Sequence, residues 1–196
     1  KNKTILIERT KGISRAWNRC LQKANGDIIT ILNSDDYYPI DIITSVVKEF
    51  ERFDISEPIV GFGDTNFVNR NNIVIGRKIG TNPNNIKLLF GFPFMHPTTY
   101  ITKSTYELVG NFDVNKLVAM DTDWLIRARA MGVTFLNVKS LVNMENEGQS
   151  FVRRFSGMGE FMDSLKTSGF SEAYLSLFLL LRFFGLWYNI VKRSLF

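Results

Sequence analysis

Cysteine occurs once in this 196-residue chain, at Cys20. A disulfide framework and a cysteine-built zinc site are therefore excluded, and a reducing compartment is the natural setting. The sequence opens on Lys1 rather than Met, and no internal repeat or low-complexity linker interrupts it. A dense Lys/Arg run with interleaved aromatics, the mark of a nucleic-acid groove, is also missing. The net charge of +5 suits anionic ligands in general, among them phosphates, nucleic acid and the cytoplasmic face of a membrane, and does not choose among them. What is present is a globular composition, 45% hydrophobic and 22% charged, with length enough for one well-buried domain.

Hydrophobic spacing gives the order of elements. Thr4 to Ile7 is a short apolar run, read as a strand. Ile13, Ala16, Trp17, Cys20, Leu21 and Ala24 recur at helical spacing, and Asn25-Gly26 supplies the stop. Ile28 to Leu32 then reads as a buried parallel strand. After an acidic loop, Pro39 suits the first residue of a helix that buries Ile42, Ile43, Val46, Val47, Phe50 and Phe53. Short strands are expected over 59–63, 65–69 and 73–79, with Asn71-Asn72 as a turn, and an aromatic loop over 91–97. A strand at 98–102, a helix at 104–109, an amphipathic helix at 120–131 and a strand at 133–138 follow. This alternation is that of an open α/β sheet.

Ligands of such sheets bind beyond the carboxyl ends of the strands, which is where Asn33-Ser34-Asp35-Asp36 falls. Adjacent carboxylates there suit Mg2+ or Mn2+, held through one or two carboxylates plus substrate phosphates. On the residues alone, an acidic turn that caps the following helix is as good a reading.

Three segments, Gly12-Ile13-Ser14-Arg15-Ala16-Trp17-Asn18, Ala24-Asn25-Gly26-Asp27-Ile28-Ile29 and Leu32-Asn33-Ser34-Asp35-Asp36, resemble in order and spacing the family 2 glycosyltransferases. The resemblance continues at Phe94-Met95-His96-Pro97, at Gly110-Asn111-Phe112-Asp113 and at Asp121 to Arg127, so it spans roughly residues 4 to 150. It implies the A-type, Rossmann-like fold: a mixed, mainly parallel sheet flanked by helices. It further implies an inverting, metal-dependent transfer of a sugar from a nucleotide-diphosphate donor to a saccharide or lipid-linked acceptor, in bacterial surface polysaccharide synthesis.

By this resemblance Asp35 stands at the metal position of the family's Asp-x-Asp motif, with Asp36 as the second candidate ligand. Asn33 replaces the motif's first Asp, and Gly12, Asn33, Ser34, Asp35 and Asp36 form the expected donor site. Asp121 is the expected base, which must take the proton of the acceptor hydroxyl as that oxygen attacks the anomeric carbon. The family's Glu before it is Met120 here. Asp123, two residues along the same helix, faces another way and is expected to be structural or to touch acceptor. Both aspartates would also favour the positive helix N-terminus without any catalysis. His96, the only histidine, is expected to contact diphosphate, metal or acceptor, with a packed core residue as the plain alternative. The family's first two β-α units have no counterpart, so the chain reads as a fragment entered in its middle.

Residues 1–165 are read as the catalytic domain and 166–196 as an apolar helical tail. Ala173 to Val191 is apolar for about nineteen residues, near the length needed to span a bilayer. Arg182 near its centre disfavours spanning. Arg182, Asn189 and Arg193 stack on one helical face, with Leu179, Phe183, Leu186, Trp187 and Ile190 on the others. An in-plane helix on the inner face of the bacterial membrane is the expectation, and packing on the domain's own core or a second subunit the alternative. A catalytically inactive nucleotide-sugar or glycan-binding module on the same fold is the rival function. No nucleic-acid partner is expected.

Overall fold

A computed structural model describes residues 6, 11–34, 36–145 and 154–194. Asp35 and, except for Leu6, the strand expected at Thr4–Ile7 lie outside the described residues. Five strands make one mixed sheet: β1 (Ile28–Ile29), β2 (Ile59–Val68), β3 (Val74–Lys78), β4 (Tyr100–Thr102) and β5 (Thr134–Glu145). β2 is the centre. It runs parallel to β5 on one side, and antiparallel to β4 and then β3 on the other. The helices are α1 (Ile13–Leu21), α2 (Ile42–Phe50), α3 (Asn85–Leu88), α4 (Lys103–Val109), α5 (Met120–Ala130), α6 (Arg154–Thr167) and α7 (Glu172–Ser194).

Strand alternation builds two cores, because successive side chains point to opposite faces. Ile59 faces α2 and packs with Val46, Phe50, Tyr100 and Val138. Val60 and Phe62 face the other way, into the larger core with Trp124, Leu125 and Ile126 of α5, Phe161 and Leu165 of α6, and Leu175 and Phe178 of α7. Gly61 lies between them, where a Cβ would come within 2.8 Å of the Phe50 ring. Only glycine lets α2 seat this closely. Gly63 sits at the irregularity where β5 slips register past β2, 2.4 Å from Ser140 O if it carried a Cβ.

Several expectations change. β1 is two half-buried residues paired antiparallel with β4 (Ile28↔Thr102, Ile29↔Ile101), not a five-residue buried parallel strand. Pro39 lies in the turn before α2, whose N-cap is Asp41 at φ 68°. On α2 only Val46 and Phe50 are buried, while Ile43, Val47 and the following Phe53 are exposed. The segments 59–63 and 65–69 merge into the single strand β2. β5 continues seven residues past Val138, to Glu145, because its partner β2 pairs with it as far as Val68↔Glu145. α5 is buried around most of its circumference rather than amphipathic. α3 was unanticipated.

The tail forms α7, and the boundary at 165/166 falls inside α6. Arg182 does not face outward as expected. Leu175, Phe178 and Arg182 share one helical face by their spacing, so burying the first two turns the arginine inward. Its guanidinium lies 5.5 Å from the Phe178 ring centre and against Gly91. Leu179 and Phe183 are exposed instead. The side chains of Leu186, Trp187, Asn189, Ile190 and Arg193 lie outside the described residues.

Candidate functional site

The start of α1, the loop after β1, the 95–97 segment and the start of α5 converge on a cleft of about 790 Å³. Its walls include Gly12, Asn33, Ser34, Asp36, His96 and Asp121, side by side with Lys11, Arg15 and Trp17. Residues as far apart in sequence as Gly12 and Asp121 are thus brought to one place.

The acidic loop is held from several directions. Tyr37 pairs with Asn143 of β5 through two backbone hydrogen bonds, each 3.2 Å. The Tyr38 hydroxyl shares a 2.7 Å hydrogen bond with Thr30 Oγ1 and donates to Pro97 O. Within the loop, Asn33 Nδ2 donates to Asp36 Oδ2 at 3.0 Å. Asn33 therefore orients the buried Asp36 carboxylate from the cleft floor. On the same cleft, Gly12 caps α1 without any side-chain oxygen. The helix's first N–H groups and the Lys11 and Arg15 cations thus make an electropositive lip suited to phosphate.

His96 is 5% exposed, stacked on Trp17 at 4.6 Å between ring centres and 9° between planes. Neither of its ring nitrogens has a hydrogen-bond partner among the described residues. Burial holds its pKa below the ordinary value, and the nearby Asp121 carboxylate offsets this only in part. The ring is therefore a neutral imidazole in the cleft wall, with unspent hydrogen-bonding capacity.

Asp121 is half-buried at the start of α5. Its Oδ1 accepts from Thr122 N at 2.7 Å and from Thr122 Oγ1 at 3.3 Å. This fixes the carboxylate, and among the described residues nothing donates to Oδ2. Asp123, expected to be structural or to reach acceptor, is absent from the cleft. It is buried behind the helix, where it accepts from Ser164 Oγ at 2.7 Å and Arg127 Nε at 3.0 Å. Two residues along a helix is a turn of about 200°, which points it into the core.

Sequence reasoning missed what holds this arrangement together. Glu160 of α6 accepts from three successive backbone N–H groups, those of Leu117, Val118 and Ala119, at 2.8–3.0 Å. It caps α5 from outside, since Ala119 at the N-cap has no side chain to do so. Burial would raise the Glu160 pKa, but those N–H groups and Lys116 outweigh it and hold the carboxyl below its usual range. Lys116 is itself tied to Asp163 at 2.5 Å. The quoted motifs also turn out to be fasteners. Asn18 exchanges two 2.9 Å hydrogen bonds with the backbone of Phe112. Trp124 Nε1 donates to Gly110 O and Arg127 to Asn111 O. The Asp113 carboxylate accepts from Asn115 N. A polar side chain at fixed spacing was the only sequence signal for these contacts.

Residues 1–107, more than half of the chain, match glycosyl transferase family 2. The protein belongs to that family, and the fold is the A-type fold expected of it. Solved structures agree on the architecture. The crystal structure of S. aureus TarS matches with a TM-score of 0.56 and 14% identity, covering 86% of this chain and 30% of that one. TarS 1–349 matches with the same score and identity, over 50% of its length. Its complex with UDP-GlcNAc matches with a TM-score of 0.56 at 13% identity. This chain thus spans only 30–51% of the length of these structures. No curated protein matches it in sequence.

Proposed function

We propose that the cleft transfers a sugar, with inversion, from a nucleotide-diphosphate donor to a saccharide or lipid-linked acceptor. The observation that carries this reading is one cleft lined by Asp121, whose Oδ2 has no donor among the described residues, by Asp36 and by the cationic start of α1. In the reaction the acceptor hydroxyl oxygen attacks the anomeric carbon while Asp121 Oδ2 takes its proton. The bond from that carbon to the diphosphate oxygen breaks, and the nucleoside diphosphate leaves with the electron pair. Lys11, Arg15 and the first N–H groups of α1 hold the diphosphate. His96 offers a hydrogen bond to diphosphate or acceptor.

The donor set fits Mg2+ or Mn2+. Among the described residues no three His, Cys, Asp or Glu cluster as a cage. Asp36 on the cleft floor, with the adjoining Asp35, offers the one or two carboxylates that such a cation combines with substrate phosphates. Bound there, the cation would neutralise charge growing on the departing diphosphate. S. aureus TarS 1–349 has been solved with UDP-GlcNAc, which makes that donor the first to assay. Bacterial surface polysaccharide is the proposed product class, and the cytoplasmic face of the membrane the proposed location. Transfer or hydrolysis should be measured across nucleotide-diphosphate sugars with and without chelator, using protein expressed from its complete coding sequence. Donor binding without turnover of any sugar would instead favour the inactive binding module.

A further inference from the structure

Two parts of the cleft wall come from distant stretches of chain. The acidic loop carries Asp36 and the 95–99 segment carries His96, and both residues line the cleft. Each part is a turn closed on itself. In the first, Asp36 N donates to Asn33 O and Asn33 Nδ2 to Asp36 Oδ2. In the second, Thr98 N and Oγ1 donate to Met95 O, and Thr99 N and Oγ1 donate to His96 O. None of these bonds runs from one turn to the other.

Tyr38 supplies the link. It follows Asp36 by two residues, and its hydroxyl meets Thr30 Oγ1 at 2.7 Å and Pro97 O at 3.2 Å. Thr30 Oγ1 donates in turn to Thr99 O at 2.8 Å. Each hydroxyl has a single proton, so these three contacts share two protons. With Thr30 donating to Thr99 O, the Tyr38 proton goes to Thr30 Oγ1 and is shared with the more distant Pro97 O. The tyrosine is thereby joined to two carbonyls of the His96 turn. Hydrogen bonds in such a chain polarise one another where water is scarce, and here Thr99 is fully buried and Tyr38 packs on the smaller core. The loop's other anchor is separate. Tyr37 and Asn143 pair through backbone groups alone, so that bridge survives loss of the Tyr38 hydroxyl.

We propose that Tyr38 is a positioning residue whose hydroxyl, through Thr30, clamps the acidic loop to the His96 turn, so that Asp36 and His96 keep one fixed spacing in the cleft. Phenylalanine would fill the same space, but only the hydroxyl crosses between the turns. The inference rests on the transferase reading, in which Asp36 serves the donor diphosphate. Asp121 stands on α5, which the clamp does not touch, so donor binding depends on Tyr38 more than turnover does.

The test compares Tyr38→Phe, Thr30→Val, the double variant and Thr30→Ser, in protein from the complete coding sequence. Hydrogen–deuterium exchange reads the turns without any ligand. The amides of Asp36, Thr98 and Thr99 are bonded within their own turns, so their exchange reports local opening. Tyr38→Phe should speed exchange about threefold or more in both segments, 33–38 and 95–99. Thr30→Val should do the same, and the double variant no more than either alone. Thr30→Ser keeps a hydroxyl and should match the parent. Thermal midpoints should fall by only about 2–4 °C. Donor KM should rise about tenfold while kcat changes less than about threefold. Faster exchange confined to 33–38, additive effects in the double variant, or a lower kcat at unchanged donor KM would overturn the inference. A parent that transfers no sugar would refute the transferase reading instead, and exchange would still decide the clamp.

Discussion

Removing the Glu160 carboxylate tests whether α6 sets the position of Asp121. Three N–H groups in succession lose their acceptor in Glu160→Ala, and those groups precede Asp121 by only two to four residues. The site is partly open, so water would replace some of what is lost. The loss of an N-cap side chain, typically about 1 kcal/mol and up to about 2, is the appropriate scale. For a chain of this size that corresponds to a fall of roughly 2–8 °C in Tm. Misplacement of the Asp121 carboxylate should lower kcat about tenfold or more. The KM for donor should change little, since Glu160 does not line the cleft. Glu160→Gln keeps one acceptor oxygen and should restore part of both. Thermal unfolding and steady-state transfer kinetics read the two effects. An unchanged Tm and kcat in Glu160→Ala would refute the reasoning, and a rise in donor KM alone would move Glu160 from positioning to donor binding.

Asp35→Asn should abolish transfer and flatten the dependence of rate on Mg2+ or Mn2+ while leaving circular dichroism intact; retained activity with the same metal dependence would remove Asp35 as a ligand. Gly63→Ala would drive a Cβ to within 2.0 Å of Ser140 Oγ and 2.4 Å of Ser140 O, so a destabilisation of about 1–3 kcal/mol is expected in denaturant titration. A value below about 0.5 kcal/mol would show that the β2–β5 irregularity yields easily. Stability should fall on acidification. His96 is held below 6.5 by burial, so its contribution is complete above that value and is lost as the pH drops and the unfolded chain takes up the proton. Glu160, held below 4.5, adds a second loss as the pH falls through its lowered folded value. Constant Tm between about pH 7.5 and 5 would contradict the His96 assignment.

Periodicity made much of this fold legible, and motif spacing made the cleft legible. The α1 helix, α4 and the stop at Gly110 follow from local spacing and from a glycine that adopts φ 80°. What periodicity could not reveal was pairing. Ile28 to Leu32 is apolar enough for a buried parallel strand, but β4 hydrogen-bonds only its first two residues, and no local signal encodes that register. β5 ran longer than its apolar core suggested because β2 supplies partners through Glu145. Helix spacing alone separated Asp121 from Asp123, and the structure sends one to the cleft and the other to Ser164 and Arg127. Glu160 was invisible because its partners are backbone groups more than forty residues away. Arg182 was assigned outward because it shares a helical face with Asn189 and Arg193, whereas Leu175 and Phe178 fix the rotation of α7.

The central claim is that Asp121 takes the acceptor proton in a cleft that binds a nucleotide-diphosphate sugar. Its most direct test is the transfer rate of Asp121→Asn against the parent, both expressed from the complete coding sequence, with donor affinity measured on the same samples. Asparagine preserves shape and the hydrogen bond from Thr122 but accepts no proton, so kcat should fall on the order of a hundredfold to ten-thousandfold at unchanged donor Kd. A fall of less than about tenfold, with donor still bound, would contradict Asp121 as the base.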